Sequence, residues 1–325
     1  MGSRRVEPPA GSAAGLPGEA DDRAASCVSL LACPVCLAPL GRAGRALGCA
    51  AGHSYDLARQ GHVDLLPAGH GRSGITGDTA GMVEARRRFL DAGHYQPLTR
   101  AVVRTAAECL MAAAGDEGRR PVALDAGCGD GSYLGAVARL LAAGGGQGPG
   151  PARPPCLFGL DVSRPAVRLA AGRHKETLFF RGDVNHRICM VDNSVDVLLN
   201  VFAPRNAREF GRVVRRDGTL LVVVPGPGHL AQLRGRLPLL DIPADKRDRT
   251  VADLAPEFRP AGEERVEHDL ELDGDALTDL LRMTPSAWHL DDEHIADAAA
   301  MAPLRVTASF LLMVFRVGLR LRVPE

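Results

Sequence analysis

The stretch Val122-Ala-Leu-Asp125-Ala-Gly127-Cys-Gly129-Asp130-Gly131 decides how this chain folds. The apolar run 122–125 reads as a buried strand. It enters a glycine-rich turn, and a helical segment follows. Glycine adopts dihedrals that other residues avoid and lets backbone pass close to a ligand. The spacing is G-x-G-x-G, whereas a dinucleotide fold carries G-x-G-x-x-G. No P-loop GK[ST] is present, so triphosphate chemistry is excluded. Working outward, apolar runs at 156–161, 178–181, 195–202 and 219–224 alternate with helical segments near 132–143, 164–173 and 206–215. That alternation predicts an α/β fold, a parallel sheet with helices on both faces. Two late stretches, 265–272 and 306–317, flank a helix near 275–283. Paired antiparallel, they finish a seven-stranded sheet. Residues 144–155 (GGGQGPGPARPP) predict a surface loop, because Gly and Pro sustain neither regular element. No internal repeat is evident.

The chain has 325 residues, with 46% hydrophobic and 24% charged side chains, enough for a sizeable core. Its formal net charge is zero. That total hides opposed blocks. Residues 1–240 carry 29 basic and 21 acidic groups, residues 241–300 carry 6 and 17, and residues 301–325 carry 4 and 1. The asymmetry, not the sum, bears on partners. No apolar run reaches the length of a membrane span, and the N-terminus lacks a secretory core. The expected location is therefore cytoplasmic. Residues 1–29 are rich in Gly, Ala, Pro and Glu and read as a disordered tail.

Eight cysteines are present. Cys109, Cys128, Cys156 and Cys189 are scattered through apolar segments and read as reduced thiols. Cys33-Pro-Val-Cys36 and Cys49-Ala-Ala-Gly-His53 instead form the pattern C-x2-C-x12-C-x3-H. Two such hooks place four donors around Zn²⁺. A segment with so few large apolar groups needs a staple of this kind to fold. Four protein ligands close the site, so it is structural. The bland reading is four unrelated side chains. Cys27 lies outside the spacing and reads as a bystander.

Asp125 before the glycines resembles the first motif of class I S-adenosylmethionine (SAM) methyltransferases. Gly127, Gly129 and Gly131 form its turn. The next strand ends at Asp161, where a carboxylate can accept both ribose hydroxyls. The third ends in Arg181-Gly182-Asp183-Val184, where Asp183 can accept from an adenine amino group and the Val184 N–H can donate to the ring. The fourth ends in Asn200-Val-Phe-Ala-Pro204, at the edge where such sheets hold substrates. For Asp161 alone, a helix N-cap is the competing reading.

Taken with Gly61-His-Val-Asp-Leu-Leu-Pro67, Phe89-Leu-Asp-Ala-Gly-His-Tyr95-Gln-Pro97-Leu98 and Pro225-Gly-Pro-Gly-His229-Leu230, these motifs resemble the bacterial 23S rRNA (guanine-N1)-methyltransferases of the RlmA type. The run Leu199–Asn206 is most similar to the branch associated with tylosin and mycinamicin resistance. The resemblance covers residues 31–320. It implies a zinc-ribbon RNA-recognition domain (30–72), a helical linker (73–115) and a Rossmann-like catalytic domain (116–325), acting as a homodimer. It implies a guanine in the helix 35 hairpin loop of 23S rRNA, 748 rather than 745, and macrolide resistance. It places Tyr95, Asp130, Gly131 and His229 against SAM. Read from the residues alone, Tyr95 could equally be a packing residue and His229 an ordinary surface histidine. Trp288 stacks a base or packs a lid; packing is favoured.

Guanine N1 carries a proton near neutral pH, so an enzyme must remove it or stabilise charge on O6. Asn200 and His229 are the candidates for orienting the base, and neither is assigned as a catalyst. Arginines supply the RNA contacts: Arg86-Arg87-Arg88, and Arg205 at the head of a cluster of five over residues 205–216. Solvated helix faces are the competing reading for both. The acidic block at 241–300 is expected to face away from RNA or to pair with a dimer mate. Two other functions fit less of the sequence. A small-molecule SAM methyltransferase leaves the zinc ribbon without a purpose. A non-catalytic zinc-ribbon RNA binder leaves the 125–131 loop without one.

Overall fold

The structure, a computed structural model, describes residues 27–67, 77–114, 119–144, 153–234, 236–237, 239, 241–284 and 290–318. Trp288 and most of the 144–155 loop lie outside the described residues. Three short strands come first: β1 (Leu40–Ala43), β2 (Ala46–Cys49) and β3 (Ser54–Asp56) form an antiparallel sheet. Then β4 (Val63–Asp64) leaves that sheet and joins a larger one. Helix α1 (Ala80–Asp91) starts at Thr79, whose side chain accepts from the Met82 N–H. Helix α2 (Gln96–Ala114) follows.

The catalytic sheet continues the expected alternation. Its elements are β5 (Val122–Ala126), α3 (Ser132–Ala142), β6 (Cys156–Asp161), α4 (Arg164–Arg173), β7 (Leu178–Arg181), β8 (Val195–Val201), α5 (Ala207–Val213) and β9 (Val214–Pro225). Short helices α6 (Ala231–Arg234) and α7 (Lys246–Leu254) precede β10 (Phe258–Leu272), α8 (Gly274–Met283), α9 (Asp292–Ala300) and β11 (Leu304–Val317). The strand order is β10-β11-β9-β8-β5-β6-β7-β4. Strands β9, β8, β5, β6 and β7 run parallel, and β11 pairs antiparallel with both β9 and β10. The order reverses between β5 and β8, which opens a crevice at their carboxyl ends. Every residue of β5 and β8 is buried, as strands covered on both faces require.

The sheet has eight strands, one more than predicted. The extra one is β4, which pairs Val63 with Phe180 and Asp64 with Arg181. A two-residue strand leaves no periodic signal in sequence. Its consequence is large, because one apolar core includes Leu31, Leu40, Leu47 and Leu65 together with Phe158 and Phe180. The ribbon is built onto the methyltransferase sheet rather than hung from it. Helices α1 and α2 are equally integral. Phe89, Leu98 and Leu110 belong to the core on the opposite face, so the segment expected as a linker is a packing layer.

Two cysteine readings are corrected. Cys27 and Cys156, taken as a bystander and a reduced thiol, are joined by a disulfide spanning 129 residues. The bond ties the N-terminal turn to the first residue of β6, a proximity that linear spacing does not reveal. The expected tail is also shorter at its inner end, since Val28 is buried in the core.

Part of the acidic block is paired within the chain. Glu263 and Glu264 on β10 pair with Arg247 and Arg104, Asp269 with Arg305, and Asp279 with Arg88. Charges along this edge strand also protect it from pairing with another chain. One ion pair goes deeper. Asp196 on β8 is 3% exposed and accepts from both Arg119 guanidinium nitrogens (2.8 and 2.9 Å) and from the Val122 N–H (2.8 Å). Asp196→Ala leaves a buried N–H and a cation without their acceptor. We expect a loss of about 2–3 kcal/mol by urea denaturation, against less than about 0.5 kcal/mol for a surface control such as Asp217→Ala.

Candidate functional site

The metal centre is the simpler of the two sites. Cys33, Cys36, Cys49 and His53 bring their ligand atoms within 4.8 Å of one another. Sγ of Cys36 and Cys49 are 3.5 Å apart, and His53 Nδ1 lies 3.3 Å from Cys49 Sγ and 3.6 Å from Cys33 Sγ. A tetrahedral zinc with Zn–S near 2.3 Å spaces its ligands by roughly 3.5–3.8 Å. The donor set and the edges therefore fit Zn²⁺. Burial raises the Cys33 thiol, but the Tyr55 hydroxyl (3.1 Å) and the N–H groups of Val35 and Cys36 hold the thiolate more strongly, and the pKa falls to about 6. These outer partners orient the ligand. Gly52, at φ +86°, makes the turn of the second hook.

The second site is a cavity of about 730 Å³ at the carboxyl ends of the strands. The glycine turn forms its floor. Gly127, Gly129 and Gly131 all have positive φ (+92°, +53° and +78°). A Cβ on Gly127 would sit 2.3 Å from the Ala203 Cβ, and one on Gly131 would sit 2.9 Å from the Phe179 ring. Here the sequence requires glycine for shape and for space alike.

Acids gather at this end. Asp161 lines the cavity, and its carboxylate accepts from the N–H of Gly129 (2.9 Å) and of Ser163 (2.8 Å). It is not the helix cap. Ser163 caps α4, its side chain accepting from the Ala166 N–H. Asp183 and Val184 line the same cavity, with Asp183 held by the Asn185 backbone and side-chain N–H groups. Asp130 also lines it, and is anchored by Ser132 and by Arg173 (2.9 Å). Asp125, at the end of β5, is 1% exposed, and neither carboxylate oxygen has a hydrogen-bond partner among the described residues. Burial, then the nearby Asp161 and Asp130, push its pKa up to about 8. A buried carboxylate without a donor is costly unless a cation comes to it. Asp125, however, is not among the residues that line the cavity; the lining acids Asp130, Asp161 and Asp183 are the ones that fit the cationic and polar groups of SAM.

The rest of the wall is built from other elements. Tyr95 is buried and lines the cavity, edge-on to Phe89 and Phe310. His229 packs 4.7 Å from the Phe310 ring and accepts at Nδ1 from the Ser309 N–H (3.3 Å). Burial, then Arg234 and His268, bring its pKa down to about 4. It is a neutral imidazole near neutral pH, with its remaining hydrogen on Nε2. Arg205, Arg234 and Lys246 also line the cavity.

Two groups of candidates take different places from those expected. Asn200 is fully buried and absent from the cavity wall; its amide donates to the carbonyls of Ala126 (3.0 Å) and Pro204 (2.9 Å). It braces the loops after β5 and β8 and does not face a substrate. The Arg86–Arg88 run is spent on ion pairs. Arg86 binds Asp78 and the Met283 carbonyl, Arg87 binds Glu84 and Asp91, and Arg88 binds Asp279. The Arg87 pairs follow helical spacing, but Met283 and Asp279 lie 197 and 191 residues from Arg86 and Arg88, where no local pattern could show them. Asp78, Phe202, Arg234 and Lys246 line the cavity and escaped the sequence reading. Phe202 left one trace: a large aromatic at a strand end, which the structure holds 45% exposed and at φ +53°.

Comparison with known proteins agrees with this geometry. The zinc-ribbon family described as "RlmA, N-terminal" matches residues 31–74. A Micromonospora griseorubida protein named for 23S rRNA (guanine-N1) methylation is 42% identical over 299 residues, 88% of this chain and 97% of its own. The chain belongs to the 23S rRNA (guanine-N1)-methyltransferase family. A Streptomyces fradiae 23S rRNA (guanine(748)-N(1))-methyltransferase is 40% identical, covering 85% of this chain and 92% of the relative. Bacillus subtilis YxjB is 30% identical over 88% of this chain and 96% of its own. The protein is thus a SAM-dependent methyltransferase with a Rossmann-like catalytic domain behind an RlmA zinc ribbon. Among the described residues, no helix is long and apolar enough to cross a membrane.

Each site generates a prediction. Cys33→Ser should lower bound zinc from about one per chain to near zero and lower the melting temperature of the whole protein, since the ribbon shares the sheet's core. SAM binding should survive in part, because no ribbon residue lines that cavity. Metal analysis and a SAM titration check both. Asp125 binds its proton more tightly folded than unfolded, so its contribution to stability falls as pH rises between the two pKa values. Asp125→Asn should raise the melting temperature of the ligand-free protein by about 2–4 °C near pH 8 and by less near pH 5.5. SAM affinity near pH 7 should change little, since Asp125 is mostly protonated there and lies outside the cavity wall.

Proposed function

We propose that this methyltransferase modifies N1 of a guanine in the helix 35 hairpin loop of 23S rRNA, guanine 748 in preference to 745, and that the product confers resistance to tylosin- and mycinamicin-type macrolides. The observation that carries this reading is the mixed lining of the cavity. The acids Asp130, Asp161 and Asp183 share its wall with a neutral histidine, an exposed aromatic and the cations Arg205, Arg234 and Lys246. The identity of 40% to a relative named for guanine 748 supports the choice of base.

SAM, when bound, supplies an electrophilic methyl group for in-line displacement. The protein's task is to position and to stabilise charge. Asp161, Asp183 and Val184 hold the adenosine half, and Asp130 favours the cationic half. A loop guanine is splayed out more cheaply than a paired one. Phe202, already packed at 5.5 Å against Phe310, offers its exposed face for stacking. His229 is a poor proton acceptor with a pKa near 4. Its Nε2–H suits donation to guanine O6, where negative charge grows as N1 loses its proton. The proposed assembly is a homodimer, as the family resemblance implies.

N1 methylation blocks Watson–Crick pairing. Incubating the protein with SAM and 23S rRNA should therefore create a reverse-transcription stop one nucleotide 3′ of guanine 748. A stop elsewhere in the rRNA, or methyl label only in small molecules, refutes the assignment. A culture carrying the gene should gain tylosin tolerance together with the stop.

A further inference from the structure

Three cations converge on the cavity from separate parts of the chain. Arg205 follows β8, Arg234 ends α6, and Lys246 begins α7. Among the described residues none of them forms an ion pair with a carboxylate, not even with Asp241, which lines the same cavity. Asp253 bears on Arg205 and Lys246 only at longer range. The Nε atoms of Arg205 and Arg234 are buried and lack any partner, while Arg234 spends one Nη2 donor on the Pro227 carbonyl (2.6 Å). Burial lowers the pKa of Arg205, and burial with the adjacent Arg205 charge lowers that of Lys246.

Many other arginines are neutralised where they stand. Arg86, Arg87, Arg88, Arg104, Arg173 and Arg212 each have a carboxylate partner. Like charges held close, partly desolvated and uncompensated, oppose folding unless an anion joins them. The cofactor's cationic groups belong with the lining acids. An RNA nucleotide drawn into the cavity carries a phosphodiester on each side. The arginine fork matches phosphate geometry, and lysine adds a point charge.

We propose that Arg205, Arg234 and Lys246 form a phosphate clamp that grips the RNA backbone beside the guanine entering the cavity. The clamp rests on the rRNA reading above and names the groups that hold the substrate there. It moves the main RNA grip from the arginine run of α1, already neutralised, to the cavity mouth. It also couples grip to chemistry, because Arg205 follows directly on the Phe202–Pro204 loop that walls the cavity.

The test is equilibrium binding of a helix 35 hairpin RNA to the full-length protein, with S-adenosylhomocysteine bound, at several salt concentrations. Arg205→Gln and Lys246→Gln should each weaken RNA binding roughly tenfold and reduce the slope of log affinity against log salt by about one. SAM affinity should stay at the wild-type value, and Lys246→Arg should restore RNA binding. Wild-type RNA affinity and slope in both glutamine variants overturn the clamp, while wild-type methylation of the same hairpin leaves the rRNA reading standing. A parallel loss of SAM affinity also overturns it, since the residues would then be structural. A wild-type protein that neither binds nor methylates the hairpin sinks both readings.

Discussion

The backbone of residues 127–131 runs closer to its surroundings than any side chain permits, and the site is organised around that approach. A methyl group on Gly127 would collide with Ala203, and one on Gly131 with Phe179. The turn therefore draws the ends of β5, β6, β7 and β8 to one place. It also leaves Asp125 at the close of β5 with no donor for either oxygen. The close approach shapes the cavity, and Asp125 stays buried outside its lining. Both features cost stability in the ligand-free protein, as functional sites commonly do.

The cavity wall is mixed in character. Buried acids suit a cationic cofactor. Tyr95 and His229, packed on Phe310, form a less polar part of the wall. Burial keeps His229 neutral, so it can donate a hydrogen bond without carrying a charge that would repel the cofactor. The unpaired cations complete it. A guanine and its phosphates match these environments, and an apolar small molecule leaves the cations unpartnered.

The zinc ribbon gains its stability in two ways. Four ligand atoms close round a metal-sized space, and apolar side chains join the core of the neighbouring sheet. Strand β4 adds main-chain hydrogen bonding to that union. A module fused in this manner holds a fixed position relative to the cavity.

Local and short-range features were legible in sequence because their physics is local. The G-x-G-x-G turn, the alternation of strands and helices, the four metal ligands and the acids at strand ends each follow from residue type and spacing. Their positions in the structure lie where that logic placed them. Other features depended on residues distant in the chain. The partners of Arg86 and Arg88, the Cys27–Cys156 bond, the eighth strand and the bracing role of Asn200 are set by contacts across the fold. A charged residue reads identically in sequence whether it is paired or free. Net charge was the extreme case: zero overall, opposed in blocks, and only partly offset by ion pairs along β10. Sequence alone determined which chemistry this chain carries. Tertiary structure decided which cations remain available for it, because ion pairing depends on distance in space and not along the chain.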